Sequence, residues 1–324
     1  MSGPAPVVVS DLVRVFRGKT GEIRAVDGLS FEVPRGTLFG LLGPNGAGKT
    51  TTLRILTTLL APTSGLVRVA GHDPVREGFA VRRSIAAVLQ DNASEQFLSV
   101  RDNFLCYARL HGQPRKETDR RLSEVAERFG LADVLAEKAA DLSVGMRRRV
   151  QVAKVFLLDS PILFLDEATT GMDPLVKREV LDRIREVARE GRTVVLTTQN
   201  MDEAERLCDE ILIVARGRAV ARGDVETVKR LHAPTLEVQV SFEEPPQDLT
   251  EFLAPYRPLT TSFEDGRLKV CLAGSRRDAA NFLAALAARY RVADFEVTAA
   301  SLEEAFLGAI GGPQPAARSG EEER

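Results

Sequence analysis

Short apolar segments and longer amphipathic ones alternate along residues 1–232. Four segments that are apolar nearly throughout follow one another along the chain: LFGLLG at 38–43, ILFLDE at 162–167, TVVLTT at 193–198 and EILIVA at 210–215. Such segments are typical of strands that are buried on both faces of an α/β sheet. The segment 25–36 alternates apolar and polar residues and ends in Pro-Arg-Gly, which predicts a strand followed by a turn.

Two stretches between the apolar segments repeat apolar residues at helical spacing. The first is 116–137, and the second is 177–190, which is followed by Gly191, a residue that favours a helix C-terminus. Because strands alternate with helices in this way, we predict an α/β domain over residues 1–232.

A different order of elements follows the segment 232–234, which we interpret as a linker because it ends in Ala-Pro. The pattern predicts strand, helix, strand, strand, helix and strand at 236–242, 248–256, 259–264, 267–273, 278–290 and 292–298. This is the order of a small α+β, ferredoxin-like domain, which we place at 233–312. A closing helix begins with a capping box formed by Ser301 and Glu304, and 313–324 is predicted to be a disordered tail.

The charge balance and the cysteines narrow the classes of function. Lys plus Arg total 44 and Asp plus Glu total 46, a net charge of −2 that argues against a general nucleic-acid binder. The sequence shows neither the ~18 consecutive apolar residues of a membrane helix nor a secretion signal. Cys106, Cys208 and Cys271 are too far apart to form a CxxC pair, so we expect free thiols and a cytoplasmic protein.

The strongest motif is GPNGAGKT at 43–50, which follows a predicted buried strand and precedes a helical stretch. It fits G-x-x-x-x-G-K-[ST], the loop whose main-chain N–H groups converge on phosphate oxygens. Its three glycines let the backbone wrap, and the following helix adds its positive dipole end. We predict that Lys49 reaches the β- and γ-phosphates of a nucleotide and that the Thr50 hydroxyl binds Mg²⁺.

The segment ILFLDE adds two carboxylates at the end of a buried strand. Asp166 is in place to hold Mg²⁺, and Glu167 is our candidate for the general base or the residue that positions the attacking water. An acidic pair that caps the following helix is the alternative. Because no NKxD-type motif for guanine occurs in the sequence, we expect adenine as the base of the nucleotide.

The segment LSVGMRRRV at 142–150 raises the question whether three consecutive arginines bind a phosphate. Ser143 favours a helix N-cap, and the apolar residues after it share one face, whereas the arginines fall mostly on other faces. We interpret the arginines mainly as the solvated continuation of an anion site at the helix start. An electrostatic role toward ATP or a neighbouring subunit, and contact with nucleic acid, are the alternatives.

Five motifs in one order make residues 7–230 resemble the nucleotide-binding subunit of an ABC transporter: GPNGAGKT, Gln90, LSVGM, ILFLDEATTGMDP and VVLTTQNMDEAE. Within that superfamily the chain is most similar to drug-exporter ATPases of the daunorubicin-resistance type, through LSVGMRRR, TTQNMDEAE and the C-terminal SLEEAFL. The resemblance implies a P-loop cassette of the α/β class. Such a cassette has a mixed sheet core, an antiparallel β subdomain and a helical subdomain that carries the signature LSVGM.

The resemblance also implies a role for each matching residue. Phe16 would stack on adenine, with a core position as the alternative, and Gln90 would touch Mg²⁺, with an ordinary loop glutamine as the alternative. The residues implied for ATP are Phe16, Gly43, Pro44, Asn45, Gly46, Ala47, Gly48, Lys49, Thr50, Thr51 and Gln90, and in trans Ser143, Gly145 and Asp173. The residues implied for Mg²⁺ are Thr50, Gln90 and Asp166, and those implied for catalysis are Glu167, Lys49 and Gln199.

The implied partners are a second copy of the chain and a membrane permease, with no nucleic acid. Two copies would close head to tail around ATP, and the segment 91–110 would dock on the permease at the cytoplasmic face of the membrane. The transported substrate, the permease and the role of the C-terminal domain are not readable from the sequence, so drug export rests on the resemblance.

Two positions depart from the family pattern. Val144 stands where the family usually has glycine, and its β-branched side chain would crowd the trans nucleotide and weaken closure. Gln199 stands where most members have histidine, and it carries no proton or charge, which predicts slower turnover. The departures keep open a weakly hydrolysing regulatory ABC module. A soluble ABC ATPase without a membrane partner is a further alternative, which a single cassette disfavours.

Overall fold

The computed structural model describes residues 4–18, 21–90, 95–232, 235–244, 246, 248–264 and 266–311. The chain divides into two compact units, Met1–Asp224 and Val225–Arg324. The division therefore lies before the predicted linker at 232–234. The predicted tail, 313–324, lies outside the described residues.

The first unit contains strands and helices in alternation, as the pattern of apolar segments predicts. In chain order they are β1 (Val7–Gly18), β2 (Gly21–Val33), β3 (Leu38–Leu42), α1 (Lys49–Leu56), β4 (Ser64–Val69), α2 (Gly78–Ser84), β5 (Ile85–Val88), α3 (Val100–Leu110), α4 (Arg115–Arg128), α5 (Val144–Val155), β6 (Ile162–Asp166), α6 (Pro174–Arg189), β7 (Thr193–Thr198), α7 (Met201–Leu207), β8 (Glu210–Ala215) and β9 (Arg218–Gly223).

Two sheets form the core of this unit. The larger has the strand order β5-β6-β7-β3-β8-β9, with parallel pairing from β5 to β8 and an antiparallel β9 at the edge. The smaller is an antiparallel sheet of order β2-β1-β4. All residues of β3, β6 and β7 are buried, which explains why these strands are apolar nearly throughout.

The register of the parallel strands brings the predicted site together. Leu42 of β3 pairs with Thr198 of β7, and Thr197 of β7 pairs with Asp166 of β6. The loops after β3, β6 and β7 therefore leave the sheet at one edge, where ligands of open α/β sheets bind.

The predicted helix at 116–137 is too long. Helix α4 ends at Arg128, and Gly130 follows with a positive φ of 59°, a conformation that glycine adopts without strain. The second predicted helix, 177–190, begins earlier than expected, because Asp173 caps α6 in front of Pro174.

The second unit is built on one antiparallel sheet. Its elements are α8 (Val225–His232), β10 (Thr235–Phe242), α9 (Leu249–Leu253), β11 (Thr260–Glu264), β12 (Arg267–Ala273), α10 (Arg276–Arg289), β13 (Val292–Ala299) and α11 (Leu302–Gly311). The strand order β11-β12-β10-β13 is that of a ferredoxin-like fold. Its core includes Val238, Val270, Phe282 and Leu286, all fully buried.

Helix α8 belongs to the second unit because it packs against α11. A side-chain carbon at Gly308 would lie 2.1 Å from the carbonyl oxygen of His232, so only glycine allows this approach. The capping box predicted at the start of α11 is confirmed: Glu304 N donates to Ser301 Oγ, and Ser301 N donates to the Glu304 carboxylate. Within the described residues, no helix is long and apolar enough to cross a membrane.

Candidate functional site

The loop between β3 and α1 has the geometry of an anion cradle. Ala47 N donates to Pro44 O at 3.1 Å, which closes a tight turn in front of α1. Gly48 is the N-cap of α1 with a φ of 105°, and a side-chain carbon there would lie 2.3 Å from Ala25 O. Gly46, with a φ of 78°, faces open space. Gly48 is therefore needed for packing, whereas Gly46 keeps the loop open to a ligand.

The side chain of Lys49 lies inside this loop. It is 4% exposed, and its ammonium donates to Gly43 O at 2.7 Å and to Pro44 O at 3.1 Å. Burial lowers the pKa of Lys49, and the negative charges of Glu167 and Asp166 oppose this shift. The two carbonyl oxygens occupy positions on the ammonium that phosphate oxygens would take, so the lysine is held ready for an anion.

Asp166 ends β6 as a fully buried carboxylate. Its Oδ1 accepts hydrogen bonds from Thr197 Oγ1 and, at 3.2 Å, from Thr50 Oγ1. Its Oδ2 is buried and has no hydrogen-bond partner among the residues that the structure describes. A buried carboxylate oxygen without a donor is costly, and a hard cation such as Mg²⁺ would satisfy it. The donor set of Asp166 and Thr50 fits Mg²⁺, which typically keeps a few protein oxygens and completes its shell with water and phosphate.

Glu167 follows in a left-handed conformation, with a φ of 47°. Its N–H lies 3.1 Å from both the carbonyl oxygen and the hydroxyl of Thr197, so β7 holds the backbone in place. A non-glycine residue with positive φ costs about 1–3 kcal/mol and is common at functional sites. Here it places a half-buried carboxylate at the edge of the phosphate loop.

One cavity of about 340 Å³ joins most of the predicted site residues. It is lined by Ile23, Arg24, Ala25, Asn45, Gly46, Ala47, Gly48, Lys49, Thr50, Thr51, Gln90 and Glu167. Gln90 and Glu167 also line a neighbouring cavity together with Val144, Arg147, Arg148 and Thr170. The structure therefore brings Gln90 and Glu167 to the boundary between the phosphate loop and the start of α5.

Phe16 lies on β1 opposite Ile23, one of the residues that line the larger cavity. The ring is 38% exposed, and the guanidinium of Arg14 lies 4.7 Å from its centroid. The core position that we considered for Phe16 is therefore wrong. An exposed aromatic ring beside the cavity is available for stacking, and its contact with adenine stays a prediction.

The three residues predicted to act in trans do not line the larger cavity. Ser143 and Asp173 are exposed N-caps, whose side chains accept from Met146 N at 3.2 Å and from Val176 N at 3.0 Å. Gly145 lies against Gly171, where a side-chain carbon would be 3.1 Å from the carbonyl oxygen. Val144 is 66% exposed. Their action on a second subunit's nucleotide stays a prediction.

The interpretation of the arginine run as a solvated face is wrong for Arg148. Arg148 is 8% exposed, and its guanidinium binds main-chain carbonyls at the end of β6. Its neighbours bind carbonyls as well: Arg147 contacts Leu142 O, and Arg149 contacts Phe129 O just after α4. All three arginines contact the protein's own backbone, and nothing in these contacts indicates nucleic acid.

Sequence reasoning missed a second buried group, Glu203 on α7. Glu203 is 8% exposed, accepts from Thr169 Oγ1 at 2.9 Å and from Thr198 Oγ1 at 3.1 Å, and forms an ion pair with Lys177. The carboxylate thus ties the segment after β6 to the end of β7, next to the exposed Gln199. The letters DEAE after Gln199 were the available signal, but they do not show which carboxylate is buried.

The sheet edge, the phosphate loop and the paired carboxylates define a P-loop nucleotide-binding cassette. Residues 26–170 match the family of ABC transporters. Over 95% of its length the chain is 36% identical to the daunorubicin/doxorubicin resistance ATP-binding protein of Streptomyces peucetius, of which it covers 93%. The chain therefore belongs to the ABC transporter family, as one of its ATP-binding ATPases.

Two further matches agree with this assignment. Over 64% of its length the chain is 44% identical to a daunorubicin resistance ATP-binding protein of Streptomyces coeruleorubidus, of which it covers 66%. A solved ATP-binding subunit of an ABC transporter is 29% identical, with a TM-score of 0.64, over 69% of this chain and 92% of that one. The predicted cassette fold is confirmed.

Proposed function

We propose that this chain is the ATP-hydrolysing subunit of a drug or antibiotic exporter. Two copies would close head to tail around ATP, docked on a separate permease at the cytoplasmic face of the membrane. The observation that carries the proposal is one cavity lined by Lys49, Thr50 and Glu167, together with the buried Asp166, which accepts from Thr50 and whose Oδ2 has no partner among the described residues. The names of the two Streptomyces relatives support drug resistance as the context.

The geometry supports a simple division of labour for hydrolysis. Phosphate oxygens of ATP would replace Gly43 O and Pro44 O at the Lys49 ammonium, while the N–H groups at the start of α1 bind the same phosphates. Thr50, Asp166 and Gln90 would hold Mg²⁺, which would neutralise charge on the β- and γ-phosphate oxygens. Glu167 would orient a water for attack on the γ-phosphate and accept its proton.

Gln199 would complete this arrangement from the end of β7. Its amide offers N–H donors to the γ-phosphate or to the water held by Glu167, although it accepts no proton under physiological conditions. We therefore expect hydrolysis that is slow but depends on Glu167.

The permease would bind the helical part of the first unit. Three large apolar side chains there are strongly exposed: Phe79 at 70%, Phe97 at 80% and Leu110 at 87%. The last two lie in the segment 91–110 that the resemblance assigns to docking, of which the structure describes residues from 95 onward. These side chains are our candidates for contact with the permease.

The test is a Glu167→Gln variant of the full chain, with Glu179→Gln on the exposed face of α6 as the matched control. We expect Mg²⁺-ATP hydrolysis to fall about 100-fold or more in Glu167→Gln, since a general base contributes 10²–10⁴, and to be unchanged in the control. The same variant, tagged and trapped with ATP, should capture a polytopic membrane protein from solubilised membranes. An unchanged hydrolysis rate would rule out Glu167 as the base. Capture of ribosomal or DNA-bound proteins alone would favour a soluble ABC ATPase without a membrane partner.

A weakly hydrolysing regulatory module is the second candidate, and Val144 and Gln199 are the residues that favour it. Hydrolysis by the wild-type chain, measured alone and with the captured membrane protein, separates the two. A subunit that powers transport should hydrolyse ATP faster with its partner, whereas a regulatory module should stay slow in both assays.

A further inference from the structure

The guanidinium of Arg148 is enclosed by the protein's own backbone. Its Nε donates to Ala168 O at 3.2 Å, and its Nη2 donates to Asp166 O at 2.6 Å and to Glu167 O at 2.9 Å. Its Nη1 donates to Leu89 O at 3.1 Å and to the side chain of Gln151 at 2.9 Å. A guanidinium has five N–H groups in a rigid plane, so all five are used.

Burying the charged guanidinium of Arg148 costs free energy, and its hydrogen-bond acceptors are unusual. Burial lowers the pKa of Arg148, and the negative charges of Asp166 and Glu167 oppose this shift. Its five acceptors are four main-chain carbonyls and one amide, rather than the carboxylate that a buried arginine usually takes. A buried cation at this position needs a reason beyond charge pairing.

The acceptors themselves suggest the reason. Three of them are the consecutive carbonyls of Asp166, Glu167 and Ala168, and the middle residue, Glu167, has a left-handed φ of 47°. The guanidinium therefore binds the Glu167 carbonyl, while Thr197 accepts from the Glu167 N–H, so both polar groups of this backbone unit are held. The strained conformation is the one that brings the Glu167 carboxylate to the phosphate loop.

The fourth carbonyl connects this residue to a second loop. Leu89 immediately precedes Gln90, and Gln90 and Glu167 line the same two cavities. The Arg148 guanidinium on α5 thus binds both the end of β6 and the start of the loop that contains Gln90. If either segment moves, Arg148 moves with it, and the hydrogen bonds of Arg148 to the other segment change.

We propose that Arg148 is a positioning residue that sets the Glu167 carboxylate for hydrolysis and couples its position to the Gln90 loop. The inference rests on the proposed function, because it assigns Arg148 to the hydrolytic step of that same site. Arg148 touches neither nucleotide nor water in this scheme. It acts through the backbone of Glu167.

The test uses Arg148→Lys, which keeps the charge but offers three donors on a compact ammonium in place of a planar fork. Arg149→Lys is the matched control, because Arg149 is next in the chain and also donates to carbonyls, those of Phe129 and Gly130. Gln151→Ala is a milder second variant, which removes the side chain that orients the guanidinium and leaves Arg148 in place.

We expect Arg148→Lys to lower kcat about 30-fold, while KM for Mg²⁺-ATP and the Kd for ADP stay within about threefold, since misplacing a reacting group by 1 Å costs up to 10²-fold. Gln151→Ala should lower kcat about threefold, and Arg149→Lys should match the wild type. The loss should shrink to less than threefold when Arg148→Lys is made in the Glu167→Gln chain, because the carboxylate that Arg148 positions is then gone.

A merely structural role gives a different pattern. It predicts a lower melting temperature with wild-type kcat per folded molecule, or the same fold-loss in both backgrounds, and either result overturns the proposal. If Arg148→Lys does not fold, a wild-type kcat in Gln151→Ala overturns it equally. Failure of the proposed function looks different again, because then the wild-type chain does not hydrolyse ATP or Glu167→Gln has no effect.

Discussion

Helices α1 and α5 both begin beside the site, but they present their N-termini differently. The N-cap of α1 is Gly48, with no side-chain cap and no acidic residue in the first turn within the described structure. The N-cap of α5 is Ser143, whose hydroxyl already accepts from Met146 N. The first helix leaves its amides open to an anion, whereas the second has satisfied one of its own.

In the proposed dimer, this difference would let one chain hold its own nucleotide at α1 and contact the partner's nucleotide at α5. The open α1 is complete within a single subunit, because Lys49 and the glycine loop belong to it. The capped α5 would gain a phosphate contact only by adding to, or exchanging, the bond that Ser143 makes. Changes at α1 should therefore affect ATP in the monomer, and changes at α5 should affect dimer closure.

The largest effect is expected at Lys49. Lys49→Ala removes the only side chain that reaches from the loop to the β- and γ-phosphates in our scheme, so we expect hydrolysis to fall about 100-fold, as for loss of one preorganised donor. Lys116→Ala, on the exposed face of α4, should leave the rate unchanged. Steady-state ATPase kinetics and ATP binding to the monomer check this. Wild-type ATP affinity in Lys49→Ala would contradict the claim that the loop before α1 holds ATP within one subunit.

The second effect separates close packing from backbone strain in the loop. Gly48→Ala introduces a carbon 2.3 Å from Ala25 O at a φ of 105°, whereas Gly112→Ala introduces one at a φ of 75° with nothing within 4 Å. Strain alone costs about 1 kcal/mol, so we expect about that loss of unfolding free energy for Gly112→Ala and at least twice as much for Gly48→Ala. Denaturant unfolding measures both, and equal losses would show that the approach to Ala25 O is not tight.

The third effect tests the cap of α5. Ser143→Ala removes the hydrogen bond to Met146 N and should cost about 1 kcal/mol of unfolding free energy. Ser99→Ala is the control, because Ser99 also caps its helix, α3, accepting from Asp102 N at 3.0 Å and in addition donating to the Asp102 carboxylate. Both variants should lose similar stability, but only Ser143→Ala should weaken ATP-dependent dimerisation in analytical ultracentrifugation. Equal dimerisation of the two variants would remove Ser143 from the trans site.

The smallest effect is expected at Val144. Because this side chain is 66% exposed at the first position of α5, Val144→Gly removes little packing within the subunit. We expect the ATP-dependent dimerisation constant to improve about threefold, which is 0.6–0.7 kcal/mol on a scale where about 1.4 kcal/mol is tenfold. Equal dimerisation constants for the two chains would show that the valine does not crowd the partner's nucleotide.

Much of the fold was readable because buried strands and capped helices have local signatures. The apolar segments at 38–43, 162–167, 193–198 and 210–215 correspond to β3, β6, β7 and β8. The predicted helix at 116–137 was too long, because helical periodicity does not show where a glycine takes a left-handed conformation. The compact units divide between Asp224 and Val225, before the predicted linker, and only packing shows that α8 lies against α11.

The site residues likewise divide into those that the sequence predicted and those that it did not. Residues 43–50 and the pair Asp166 and Glu167 were predicted to share a site, and parallel register brings them to one edge of the sheet. Arg148 was predicted to be solvated and is buried, and Glu203 was not singled out. A helical repeat assigns a residue to a face, but the partner of that face is set by segments distant in the chain.

The sequence by itself determined the phosphate loop, the carboxylates of Asp166 and Glu167 and the family, because these depend on residue types at short, defined spacings. Glycines, a lysine and a threonine in eight consecutive residues are sufficient to predict an anion cradle. The tertiary structure alone decided which charges are buried and what they hold. Arg148 and Glu203 acquire their partners only when the ends of β6 and β7 and the start of α5 meet, since hydrogen bonds of that kind depend on distances in space rather than along the chain.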